Sequence, residues 1–408
     1  MGAATESGRF FRLLAEPPRA LVLCACAAIL LVRRAQAFSN PQLWAEDGHF
    51  YERAYAIGAR ALLLPYAGYL HLVPRSVAAV AARADPAWVP AIFVISAALL
   101  TLYVAARTLS PRCPLPRTAG LFALAVVLVP DTYEVLLNIV NLQWVLAAGL
   151  VLLLVSRDPS GRAEWVHDCL SALFLGLTGP FSCILSLLFV WRAASRRSAP
   201  SAVLAAVVLA CGFVQGYLIF TGPLDDPGVP GAPHLAMLRV IPAVGRRIGA
   251  SLLLGSLLPA DLGVALGYAA GIATVGAVGY LALRDGAYRT ERRMIAAALV
   301  LVLGASLFRT RWTLHEYFVA HSSSRYMFLP QLLSIWLLGT LACQKGRAGR
   351  AALSVALWCL AVNAPRLRES AYPDMQWGRY TEQIRAGKGA RIPINPPGWI
   401  LTLPARPK

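Results

Sequence analysis

Long apolar runs alternate with short polar connections through most of the chain, from Ala20 to Ala364. Each run approaches the ~20 residues that an α-helix needs to cross a bilayer, and none shows the short alternating strands of a membrane barrel. The pattern predicts helices over about 18–38, 87–106, 118–130, 139–156, 202–220, 262–283, 295–308, 326–343 and 351–364. Two shorter runs, 168–178 and 181–191, meet at Thr178-Gly179-Pro180-Phe181 and read as a re-entrant pair. Residues 70–84 and 248–260 read either as short spans or as amphipathic helices lying on the outer surface. The expected fold class is an all-α polytopic membrane protein of about eleven spans (9–13), with an amphipathic helix on the outer face after the first span. Residues 1–364 form one unit in this reading. Residues 365–408 form a tail that packs on the outer face as a lid or plug, with a turn fixed by the prolines and glycine of "IPINPPGW".

Hydrophobic side chains make up 58% of the 408 residues and charged ones 14%, which excludes an ordinary soluble protein. A formal charge of +18 would suggest nucleic acid in a soluble chain. Here the basic residues sit between apolar runs, where they set orientation, so the expected partner is the lipid bilayer and not nucleic acid. Arg107, Arg112 and Arg117, then Arg157 and Arg162, Arg192, Arg196 and Arg197, Arg284 to Arg293, and Lys345 to Arg350 all fall on one side when the N-terminus is cytoplasmic. A core from Ala20 to Val32 followed by Ala35-Gln36-Ala37 imitates a secretory signal, but Arg33 and Arg34 stand before the cleavage site and favour a retained first helix. None of the eight cysteines forms a CxxC pair, so no disulfide and no structural zinc are expected. Arginine far exceeds lysine and alanine is abundant, which fits a GC-rich bacterial genome and places the chain in a bacterial cytoplasmic (inner) membrane.

That orientation also sorts residues that played no part in fixing it. His49, His71, His234, His315 and His321, most of the acidic side chains, and Arg309, Arg311 and Arg325 around one late loop all fall outside. The chemistry is therefore expected at the extracytoplasmic boundary. In "WAEDGHF", Glu46 and Asp47 are adjacent, so ionising one opposes ionising the other, and a carboxylate so poised can take a proton from a hydroxyl. A solvated pair or a helix cap is the plainer explanation. In "LPYAGYLHLVPRS", Tyr66, Tyr69, His71 and Arg75 suit stacking on a sugar ring or holding a phosphate, although an interfacial aromatic belt also explains the tyrosines. "PDTYEVLLNIVNLQW" places Asp131 and Glu134 at the start of a predicted helix whose Asn138 and Asn141 share one face, to bond a neighbouring helix or substrate hydroxyls. Arg309, Arg311, His321 and Arg325 match phosphate oxygens, with lipid headgroup contact as the alternative.

The order of one helix, an outer loop opening on an acidic pair and an aromatic, an interfacial helix and then many spans resembles the GT-C superfamily of membrane glycosyltransferases. The resemblance implies sugar transfer from a polyprenyl-phosphate carrier to a hydroxyl on a glycan or lipid acceptor, at the extracytoplasmic face and with inversion. It implies that Glu46 or Asp47 is the base, with Phe50 at the position of a recurrent aromatic. It leaves the donor-phosphate residues to the argument from Arg309, Arg311, Arg325 and His321. A leaving phosphate is already anionic and needs no metal. Some related enzymes use a divalent cation such as Mg or Mn, and Asp225 and Asp226 are too loosely placed to define a site for one. A lipid or polysaccharide transporter or flippase, and a glycan polymerase or ligase, are the alternative functions. A transporter would place ionisable groups near the bilayer midplane, whereas here they gather at the outer helix ends.

Overall fold

The computed structural model describes residues 18–222, 233–258, 263–311 and 323–405. Counting helices of five residues or more, α1 is Arg19–Arg33, α2 Glu46–Ile57, α3 Leu72–Ala81, α4 Val89–Thr108, α5 Ala119–Leu128, α6 Gln143–Val155, α7 Arg162–Gly176 and α8 Phe181–Arg196. They are followed by α9 Ala199–Thr221, α10 Pro233–Val244, α11 Val264–Leu283, α12 Arg289–Arg309, α13 Ser324–Ala342, α14 Arg347–Ala361 and α15 Thr381–Arg385. The chain is mostly helical, and three helices are long and apolar enough to cross a bilayer: 86–108, 199–221 and 265–283.

The long helices run alternately between two polar ends. At the lower end, Arg112 bonds the Arg157 carbonyl and Asp168, Arg192 and Arg196 reach Asp158, Thr118 contacts the Cys343 thiol and Gln344 bonds the Ala287 carbonyl. These are the connections that the basic clusters assign to a single face. At the upper end the loop around Glu46 meets residues 127–142, 323–325 and 366–395. The bundle is centred on α6, all 13 of whose residues are buried, against α4, α7, α8, α12 and α13. Its all-round apolar sequence, QWVLAAGLVLLLV, has no polar face to offer solvent.

Several expectations are corrected. Residues 168–178 and 181–191 lie in longer helices than the apolar runs mark, of 15 and 16 residues, joined by the tight turn at Gly179, where φ is +83°. The first helix ends at Arg33 and a separate short turn covers Gln36–Ser39. Residues 70–84 hold α3, whose 10 residues reach ~15 Å, half a bilayer's core, so it lies with α2 in the upper layer. Residues 248–260 do not form one helix; a π-helical segment, Gly245–Ala250, runs into the short helix Ser251–Leu254.

Two further corrections matter for the site. The segment after Pro130 is not helical: residues 131–142 form successive turns, with Leu137 at a positive φ of 59°. Asn138 and Asn141 therefore do not share a helix face. The segment is nonetheless buried from Val135 to Leu142, and irregular backbone at that depth in a helical membrane protein is tolerated only where protein or a cavity surrounds it. Nor is the fold purely helical. The tail forms an antiparallel hairpin, β1 Ala390–Ile394 with β2 Trp399–Leu403, and β2 packs on α2.

Candidate functional site

Arg33 and Arg34 begin the site from below. Both are buried, and both pair with Glu369 of the tail, at 3.0 and 2.8 Å. Arg33 also donates to the carbonyls of Val127 and Val129 and to Thr132, whose hydroxyl donates to Glu369. One knot thus joins the end of α1, the start of the buried turns and the tail. Arg34 lies 4.0 Å over the Tyr372 ring, which stacks at 4.4 Å on Trp44. From there the chain enters the acidic pair through Ala45, a non-glycine residue at φ +41° whose N–H donates to the Asn395 carbonyl. Asn395 in turn donates to the Leu43 carbonyl at 3.2 Å, so the tail adds a one-residue parallel bridge to the segment before Glu46. The hairpin then lies close on α2: a Cβ at Gly48 would stand 2.5 Å from Ile394 Cδ1.

The two acids hold different positions. Asp47 is 3% exposed, and its two oxygens accept from the backbone N–H groups of Trp44 and Val140, each at 3.2 Å. Burial pushes its pKa well above the usual carboxylate range; the Trp44 amide pulls the other way, and the neighbouring Glu46 adds to the rise. Asp47 therefore clamps the buried turns to the start of α2. Glu46 is half-buried, has no hydrogen bond or ion pair among the described residues, and lies within electrostatic reach of Arg325. Arg325 pairs at 3.6 Å with Glu134, which also accepts from the Ser324 hydroxyl and the Arg325 amide at 3.3 Å. Carboxylates from positions 46 and 134 and a guanidinium from position 325 thus share one locus.

The wall beside them comes from 66–71. Ala67 and Gly68 both have positive φ and the Tyr66 and Tyr69 backbones bond one another in both directions, the geometry of a tight hairpin turn. His71 bridges to Thr178, and Gln215 of α9, wholly buried, exchanges bonds with both backbone groups of Leu70 and donates to the Gly179 carbonyl. Tyr66, Phe50, His49, Tyr69 and His71 then form a ring cluster with centroids 4.7–6.0 Å apart. Tyr69 lies within electrostatic reach of Tyr326, Arg325 and Arg309. Burial first, and Arg75 second, depress His71 to about 3. His49 falls to about 4 through burial, Arg53 and Arg75. Both rings are neutral at pH 7.

The remaining expected residues divide. Asp131 accepts from Gln331 at 2.6 Å and pairs with Arg247 at 3.2 Å, away from the acidic pair, so it braces the π-helical segment against α13 and is not brought to Glu46. Asn138 and Asn141 are brought there through Val140, each with a buried side-chain nitrogen that finds no partner. Arg309 is exposed at the end of α12, and Arg311 folds over Phe308, with its ring at 4.5 Å and its carbonyl at 2.9 Å. His315, His321, Asp225 and Asp226 lie outside the described residues, and of His234 only the backbone is described. Among the described residues no three His, Cys, Asp or Glu gather to hold a metal.

Sequence reasoning missed Gln143, whose buried Oε1 lacks a donor, Trp144, whose buried Nε1–H lacks an acceptor, and Asn395. Gln143 and Trp144 belong to the quoted "NLQW" and are polar groups opening an otherwise apolar helix, a signal that was present. Asn395 had none, because its role depends on a backbone bridge across the whole chain. Compared with family models, curated proteins and solved structures, the chain matches none.

Proposed function

We propose that the chain is a membrane glycosyltransferase. It moves a sugar from a polyprenyl-phosphate carrier to a hydroxyl of a glycan or lipid acceptor, at the extracytoplasmic face of a bacterial inner membrane. The observation that carries this reading is Glu46: a carboxylate without a hydrogen-bond partner among the described residues, next to a clamped Asp47 and in reach of Arg325, on the rim of a buried irregular segment. In this mechanism Glu46 takes the proton of the acceptor hydroxyl. The freed oxygen attacks the anomeric carbon from the face opposite the carrier, and the carbon–oxygen bond to phosphate breaks with inversion. Arg325 meets the charge that develops on the departing phosphate, exchanging its loose 3.6 Å contact with Glu134 for phosphate oxygens. Asp47 holds α2 and the buried turns in register and is a positioning residue. Asn138 and Asn141 offer donors to sugar hydroxyls.

The test uses membranes carrying the full chain, supplied with radiolabelled undecaprenyl-phosphate-linked hexoses and pentoses. Removal of a general base costs about 10²–10⁴-fold in rate, so Glu46→Gln should fall by that factor at unchanged protein level. Full transfer by Glu46→Gln would end the reading. A transporter or flippase of lipid-linked sugars is the second reading, favoured by the buried break at 131–142, since transporters place interrupted helices around their substrates. Translocation of the same lipids in reconstituted vesicles without any transfer product would select it.

A further inference from the structure

Among the described residues seven arginines are buried: Arg33, Arg34, Arg75, Arg112, Arg192, Arg247 and Arg292. Five have a carboxylate partner: Arg33 and Arg34 share Glu369, Arg112 has Asp168, Arg192 has Asp158 and Arg247 has Asp131. Arg292 donates to the carbonyls of Ala287 and Arg284, with Asp285 in electrostatic reach. Arg75 differs from all of them. It is 1% exposed, its Nε and Nη1 have no partner, and its one acceptor is the Pro65 carbonyl at a long 3.4 Å. The group that lies over it is an apolar ring, Phe50 at 4.8 Å.

Its electrostatic surroundings are also one-sided. The charged group that acts on Arg75 is another cation, the exposed Arg53, and together with burial it pulls the guanidinium down to about 10, still fully protonated at pH 7. His71 is 2% exposed with no side-chain hydrogen-bond partner and only the Tyr66 backbone within reach of its ring, and His49 is half-buried between the two arginines' fields. Four basic side chains therefore converge between α2 and α3 with no acid among them. A charge taken out of water with nothing opposite is the costliest arrangement in a protein interior, and natural chains hold it where a ligand completes it.

We propose that Arg75 is the floor of an anion site for a phosphate group, with His71 and His49 as its walls and Arg53 at its mouth. A guanidinium suits phosphate oxygens, and an imidazole of adjustable protonation can meet either a P–O⁻ or a P–OH. The site lies in the wall beside Arg325, across Tyr69, and its argument does not depend on the transferase reading. The phosphate belongs either to a lipid headgroup, since α2 and α3 lie at the boundary layer, or to a free phosphate ion.

The test compares the full-length protein with Arg75→Met by thermal unfolding in phosphatidylcholine nanodiscs. One arm adds inorganic phosphate against chloride at equal ionic strength, and the other replaces part of the phosphatidylcholine with phosphatidic acid. In chloride and neutral lipid, Arg75→Met should melt at or above the wild type, because an uncompensated charge is removed. Phosphate should then raise the wild-type Tm and leave the variant unmoved. A rise with inorganic phosphate assigns a free anion; a rise only with phosphatidic acid assigns a headgroup. Equal responses of both proteins in both arms overturn the site and leave water as the partner of Arg75. Should Arg75→Met fail to accumulate, the wild type decides alone: a Tm indifferent to both probes overturns it equally.

Discussion

At the lower end of the bundle Asp158 accepts from Arg192, Arg196, Ser198 and Ser201, and every nitrogen of the Arg192 guanidinium has an acceptor. At the upper end Asn138, Asn141, Trp144 and Arg75 all carry buried nitrogens with no partner among the described residues. Both ends bury polar groups, Arg192 and Ser201 below and Arg75 and Asn138 above. A completed network holds helices in place; an incomplete one, where each unmet group costs about 1–3 kcal/mol, persists where something else completes it. Composition cannot make this distinction, since both ends are arginine-rich. Hydrogen-bond satisfaction makes it.

The contrast can be broken most forcefully from below. Asp158→Ala leaves Arg192 buried without its carboxylate and should cost about 3–5 kcal/mol, read as a lowered Tm and a smaller folded yield, with activity per folded molecule unchanged. A wild-type Tm in that variant would remove the lower end as a lock. Acidification probes the upper end next. His71 is depressed to about 3 in the folded chain, so between pH 6.5 and that value the unfolded chain binds a proton that the folded chain refuses. The His71 contribution to stability should therefore fall as pH falls, by about 2 kcal/mol at pH 5 at ~1.4 kcal/mol per unit, against an opposite contribution from Asp47, and it is read as the difference in slope between wild type and His71→Leu. Between pH 6.5 and 5 the lower end does not contribute. Burial works against the charge of Asp158, but its four donors hold its carboxyl well below the ordinary range, so its contribution is lost only as pH falls below the unfolded value of 3.8. The smallest stability effect should come from Asn141→Ala, which deletes an amide whose nitrogen has no partner: within about 1 kcal/mol, against at least a tenfold loss of transfer. A large drop in Tm instead would give Asn141 a bonding role and weaken the contrast.

Much of the frame was legible because long apolar runs and basic loops are strong signals. Helices at 86–108, 199–221 and 265–283 follow from length and composition, and the basic loops do gather at one end. The acidic pair was legible as a site candidate, and its separation into a clamp and a carboxylate without a hydrogen bond among the described residues was not, because that depends on which oxygen meets the Val140 amide. The turns at 131–142 were misread as helix for a specific reason. Asn138 and Asn141 stand three apart, the branched residues between them are apolar, and no glycine or proline interrupts them, yet tertiary burial supports Leu137 at a positive φ. Arg75 was legible as a phosphate candidate from its place in "LPYAGYLHLVPRS", but its burial without a carboxylate was not. Only the missing carboxylate distinguishes it, and an absence of that kind has no signature in a string of letters.

Asn395 meets Leu43 and Ala45 across 352 and 350 positions. On a ribosome adding about 5–20 residues per second, Leu43 is made roughly 20–70 s before its partner. The bridge that sets Ala45 closes only once the last helices and the tail have been synthesised. The nascent chain thus carries its acidic pair unshaped while it is threaded into the bilayer.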